Sequence, residues 1–238
     1  MNSIILNGIS SQTIQGLLIQ NLPPISKPRI RAEAEEIDGR DGDIITLLGY
    51  GAYDKEFQIG LYGDFDIDQI IEYFNSSGTV TFSNEEDKYY NYQIVEQIDF
   101  ERLLRFRQAT VKMHIQPFKY SVADNSKTFA IAEGTTSVTI RNNGNIYSKP
   151  IITLTGTGTI NLYLNEVQAF AINLSTTDSQ TIAIDITNMN AYDPATNNFL
   201  NRLVTGNYDN FRLAIGKNTI TWTGSITQIK IQNYSRWI

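Results

Sequence analysis

Along most of this chain apolar and polar residues alternate with a period of two, the spacing that puts every second side chain of a β-strand on one face. In the first half RIRAEAEEI, KEFQIGL, TVTF and ATVKMHI alternate or run apolar over strand lengths. DFDIDQIIEYFNSSG breaks that rhythm, with Ile67, Ile70, Ile71 and Phe74 at helical spacing on one face. Asp66 stands where an N-cap belongs and Gln69, three residues on, completes a capping box. Gly78 is predicted to stop that helix.

The second half carries no helical period. Val138 and Ile140, Ile152 and Leu154, then Ile160, Leu162 and Leu164 stand at period two, as do Ile182, Ile184 and Ile186. FRLAIGKNTITWTG and ITQIKIQNYSRW continue the series, with Asn-Gly, Gly-Lys-Asn and Thr-Gly read as turns between short strands. Asn and Thr together number 11 in residues 1–123 and 34 in residues 124–238, a shift that marks a change of domain. The expectation is a mainly β chain. Residues 1–123 form an α+β domain with one short helix, and residues 124–238 an antiparallel β-sandwich. Neither an internal repeat nor a low-complexity segment interrupts it.

Composition changes this picture mainly by exclusion. With 41% hydrophobic and 18% charged residues the chain is expected to fold. Its apolar runs are too short for a transmembrane helix, and MNSIILNGIS lacks the basic region and cleavage site of a signal peptide. Synthesis and retention in a cytoplasm follow, unless the chain leaves as part of something larger. The absence of cysteine excludes disulfides, thiolate zinc sites and cysteine nucleophiles. Residues 1–123 hold 11 Lys/Arg against 18 Asp/Glu, whereas residues 124–238 hold 8 against 7. An acidic domain does not grip nucleic-acid phosphates, although it can line a passage through which DNA slides.

The candidate chemistry is sparse. EEIDGRDGDI, residues 35–44, has acids that invite a calcium reading, but Asp38, Asp41 and Asp43 are spaced by three and two and Gly49 stands where the closing Glu should be. A phosphate loop would open a helix, and here a β-branched run follows. A charged turn between strands, with Gly39 and Gly42 at positive φ, is the expected outcome. His114, the one histidine, lies opposite Val111, Met113 and Ile115 on its strand, and no motif supplies a nucleophile. Only Glu133, Glu166 and five aspartates fall in the sandwich, and nothing marks any two as a glycosidase pair. Tyr90 and Tyr92 share a face of one strand, either as exposed interface residues or as ordinary packing.

Several segments resemble, in order, the distal tail protein (Dit) family of long-tailed bacteriophages infecting Gram-positive bacteria. They are ILNGI, the DGRDGD turn with its apolar run, IQPFKY, GNIYSKPIITLTG, the IAIDI strand, LAIGKNTITWTG and the closing RW. That resemblance implies a structural virion protein of the tail tip without enzymatic activity, cofactor or metal. Its amino-terminal domain would form a ring, commonly a hexamer, around a channel for DNA. Its sandwich, galectin-like or carbohydrate-module-like, would face outward to dock adhesion proteins. The implied partners are further copies of the chain, a tail tube protein, a tail-associated fibre or lysin and a receptor-binding protein, with no membrane insertion. Interface candidates are Asp38, Arg40, Asp41 and Asp43 in the turn, Glu72 on the helix, and Tyr89, Tyr90 and Tyr92. A lectin contacting host cell wall is the alternative, and a cell-wall hydrolase a third.

Overall fold

The computed structural model describes residues 1–75, 77–124 and 126–238; Ser76, at the end of the predicted helical stretch, and Asn125, in the predicted linker, lie outside the described residues. The chain divides into two compact units, Met1–Val122 with Ile238, and Ala123–Trp237.

In the first unit the strands are β1 (Ile4–Leu6), β2 (Ile9–Ser10), β3 (Leu17–Ile19), β4 (Ile30–Glu36), β5 (Asp43–Tyr50), β6 (Tyr53–Leu61), β7 (Ser77–Phe82), β8 (Lys88–Gln93) and β9 (Gln108–Ser121). Seven of them form one antiparallel sheet in the order β2-β1-β7-β8-β9-β6-β3. The remaining two, β4 and β5, pair with each other alone among the described residues. Alternation buries Val111, Met113 and Ile115 on β9 and Phe57 and Ile59 on β6, while Lys112 and His114 face away.

Helix α1 (Ile67–Phe74) begins where the sequence places it. The Asp66 carboxylate accepts from the Asp68 and Gln69 amides at 3.0 and 3.3 Å, satisfying two of the amides that every helix start leaves open. Its buried face is Ile70, Tyr73 and Phe74, and Ile71 is turned outward. Tyr73 displaces Ile71 from the expected face because its hydroxyl lies 3.2 Å from both the Ile4 and Ile9 carbonyl oxygens, a bond only an inward tyrosine can make. The helix ends at Asn75; Gly78 is already inside β7. Removing the cap in Asp66→Ala is expected to cost about 1 kcal/mol of stability in urea unfolding followed by circular dichroism. A second helix, α2 (Phe100–Phe106), which the sequence analysis did not name, is capped by Asp99 and buries Leu103.

In the second unit the strands are β10 (Lys127–Ala130), β11 (Ser137–Asn142), β12 (Ile151–Leu164), β13 (Val167–Asn173), β14 (Gln180–Asp185), β15 (Asn190–Tyr192), β16 (Val204–Gly206) and β17 (Gly216–Gln232). The register shows how they make a sandwich. The first half of β12 pairs with β14 and with the second half of β17, which also pairs with β10. The second half of β12 pairs with β13 and with the first half of β17, which also pairs with β11. Two layers therefore share two long strands that cross from one to the other. The register slips where they cross, at Thr155/Gly156 and Thr157/Asn161. The Thr-Gly pairs read as hairpin turns are thus bends inside continuous strands. Ile152, Leu154, Ile182, Ile184 and Ile229 from one layer meet Leu162, Phe170, Ile172, Ile220 and Trp222 from the other in a single core.

Candidate assembly interface

The β4–β5 hairpin is the part of the first unit that the local sequence dictates and the core does not use. Between its strands Ile37–Gly42 forms a turn in which Gly39 and Gly42 take φ of +80° and +77°. L side chains avoid that region, which explains the two glycines. The Arg40 amide donates to the Ile37 carbonyl at 3.1 Å. Every residue of β4 is exposed, as is β5 up to Gly49.

Pairing sorts the hairpin into two faces. Ala32 lies opposite Leu47, Ala34 opposite Ile45 and Glu36 opposite Asp43, which puts these six side chains together. The other face carries Glu33 beside Thr46 and Glu35 beside Ile44. Ile45 and Leu47 are 64% and 68% exposed, values at which a large aliphatic side chain is solvated rather than packed. Among the described residues none of Glu33, Glu35, Glu36, Asp38, Asp41 and Asp43 forms an ion pair, so a net negative charge stands uncompensated on an apolar arm.

The root of the arm is held firmly. The Lys55 ammonium, 3% exposed, donates to the Pro24 carbonyl at 2.7 Å and lies within 6 Å of the rings of Tyr53, Phe82 and Tyr90. Burial pulls the Lys55 ammonium below its ordinary range. Asn84 donates to Pro23 at 3.2 Å, and the Gly51 amide to the Arg29 carbonyl at 2.9 Å. Tyr50 packs edge-on against Phe118 at 5.5 Å.

The other sequence candidates fall differently. Glu72 is exposed on α1, where it lines a surface groove of about 520 Å³ with Leu6, Ile9, Ile14 and Tyr73. Tyr89 is half-buried and stacked on Tyr120 at 5.4 Å. Tyr90 and Tyr92 are 1% and 4% exposed, core side chains that offer no surface in this fold. Tyr90 also donates to the Glu85 carboxylate, and burial raises its phenol above the ordinary range. They are corrected from interface residues to packing residues. Alternation put both on one face but gave no sign that this face was the inner one.

His114 finds its partner across the ladder, with Nδ1 2.9 Å from an Asp54 carboxylate oxygen. Lys112 bridges Asp54 and Glu96 at 3.2 and 2.5 Å. The bond from His114, and after it that from Lys112, holds the Asp54 carboxyl below the usual carboxylate range. The residues paired with His114 on either side are Asp54 and Gln93, neither of them a hydroxyl or thiol nucleophile. The cluster is therefore a cross-strand charge ladder. Among the described residues no three His, Cys, Asp or Glu side chains come together to hold a metal, and no helix is long and apolar enough to cross a membrane.

No known protein-family profile matches the chain, and no curated protein does. Solved structures do. The crystal structure of SPP1 Dit (gp 19.1), described as a paradigm of the hub adsorption apparatus in phages infecting Gram-positive bacteria, superposes with a TM-score of 0.65 at 15% identity, over 98% of this chain and 99% of that one. A chain of the phage p2 baseplate, activated with strontium, gives a TM-score of 0.49 at 11% identity over 98% of this chain and 97% of its own. The calcium-activated p2 baseplate gives 0.44 at 10%, over 98% of each chain. TM-scores below 0.5 carry no argument about fold, so the SPP1 structure is the informative one. Both units of this chain have its fold, the fold that the sequence resemblance implies.

Proposed function

We propose that this chain is a structural, non-enzymatic hub at the distal end of a phage tail. Its amino-terminal units close into a ring, a hexamer, around a passage for DNA. The ring joins a tail tube protein on one side to a tail-associated fibre or lysin on the other. The carboxy-terminal sandwich presents a docking surface for adhesion proteins. The observation that carries this reading is the whole-chain likeness to a protein described as a hub of an adsorption apparatus.

The arm supports it physically. A closed ring needs heterologous contacts, in which each copy offers two different patches. The exposed apolar face of β4–β5 is one such patch, and the acidic face with Glu33 and Glu35 suits a wall that DNA passes without sticking. Arg40, a lone cation among the tip carboxylates Asp38, Asp41 and Asp43, is placed to meet a carboxylate of the neighbouring copy. Arg40→Glu is expected to weaken self-association about tenfold or more, since like charges across an interface cost several kcal/mol. The same change leaves the monomer's unfolding midpoint unmoved, because the turn is exposed. Sedimentation velocity over a concentration series, with thermal unfolding of the dilute monomer, checks both.

A further inference from the structure

We infer that the β4–β5 arm of one copy docks on the α2 surface of the next, with Ile45 and Leu47 against Phe106 and with Asp43 and Glu36 against Arg102. The inference rests on the ring reading above and names its joint.

Both halves of the joint are present on the one chain. Helix α2 buries Leu103, which fixes the direction of its other side chains. Arg102 and Phe106, four residues apart, are neighbours along one flank, and Arg105, on the far side of Arg102, is turned away from the buried Leu103. Phe106 is 73% exposed, among the most exposed aromatic side chains described. Arg102 enters no ion pair among the described residues, and Arg105 is paired only with Glu101, both of them about 70% exposed. An exposed pair of that kind contributes little and is readily exchanged.

Charge and spacing both match. Residues 30–50 carry two arginines against six carboxylates, whereas residues 100–107 carry three arginines against one glutamate. On the arm's apolar face Asp43 lies two residues from Ile45, about 7 Å along a strand. On α2 Arg102 lies four residues from Phe106, about 6 Å along a helix. An apolar contact at one end therefore brings the carboxylate and the guanidinium together at the other. Ala32 and Ala34, opposite Leu47 and Ile45, keep that face low enough for an aromatic ring to lie on it. The contact joins unlike patches, so a copy whose arm is engaged still has its α2 surface free for another. That is the condition for a ring rather than a closed dimer.

The test uses two full-length variants, Ile45→Glu/Leu47→Glu and Phe106→Glu, all three positions being solvent-exposed so that the monomers fold. Each variant alone is expected to remain monomeric in sedimentation. Mixed in equal amounts they form heterodimers and nothing larger, because one intact arm and one intact α2 remain between them. Asp43→Arg and Arg102→Glu each weaken association about tenfold or more, and the double variant restores it. Phe106→Glu rings indistinguishable from wild type, or a mixture that stays monomeric, would overturn this joint while leaving the hub reading standing. A wild-type chain that stays monomeric at the highest concentration reached overturns the hub reading and the joint with it.

Discussion

Phe170→Ala is expected to destabilise the carboxy-terminal sandwich by about 3–5 kcal/mol, the cost of a cavity left by a large aromatic in a packed core. Phe170 is fully buried on β13. Its ring lies 5.9 Å from Phe211, stacked, and 5.1 Å from Tyr208, edge-on. Removing it deletes two aromatic pairs as well as the buried area, and the surrounding strands are tied into two layers that cannot collapse inward freely. Trp222, 4% exposed, lies in this same core, so tryptophan fluorescence during urea unfolding follows its loss. Phe199→Ala is the control: at 71% exposure it is expected to move the midpoint hardly at all. A Phe170→Ala midpoint close to wild type would mean that the two layers do not share this core.

The second large effect is expected at Gly224, where β17 bends from one layer into the other. Its φ is +95°, and a Cβ there would fall inside van der Waals contact of the Thr159 carbonyl oxygen. Gly224→Ala therefore meets two costs at once, a left-handed backbone for an L residue and a backbone clash that no side-chain rotation relieves. Together these are expected to exceed about 2 kcal/mol. Gly63→Ala separates the two contributions, since Gly63 has φ of +54° but open space around its Cβ position. Only the conformational cost applies there, and the loss should be visibly smaller when each variant is compared with wild type by calorimetry.

These glycines also show where sequence reasoning ran short. Period-two spacing identified the residues that fill the sandwich, because alternation is a property of the strand itself. It divided β12 and β17 into shorter strands, because Thr-Gly in a polar setting has the same local chemistry at a turn and at a bulge. What distinguishes them is the close approach of Ser225 to Gly156 and of Thr159 to Gly224, contacts between residues far apart in the chain.

The candidate site divides along the same line. The turn at 37–42 was legible in full, since two glycines among acids admit few backbone paths. Its solitude was not. DIITLLG has the composition of a buried strand, and it is exposed because β4 is its only partner among the described residues, a fact of topology. The tyrosines erred in the opposite direction: Tyr90 and Tyr92 were correctly placed on one face, and that face is the inner one. Helix α2 escaped notice because seven residues with a single buried position give no period to detect.

The mass of the full-length chain in solution tests the central claim most directly. Native mass spectrometry or light scattering on the eluting peak is expected to give one discrete ring species, six times the 26.9 kDa chain, at concentrations where the Arg40→Glu variant has fallen apart. A 26.9 kDa monomer that pulls down purified cell wall would contradict it and make the chain a carbohydrate-binding module instead.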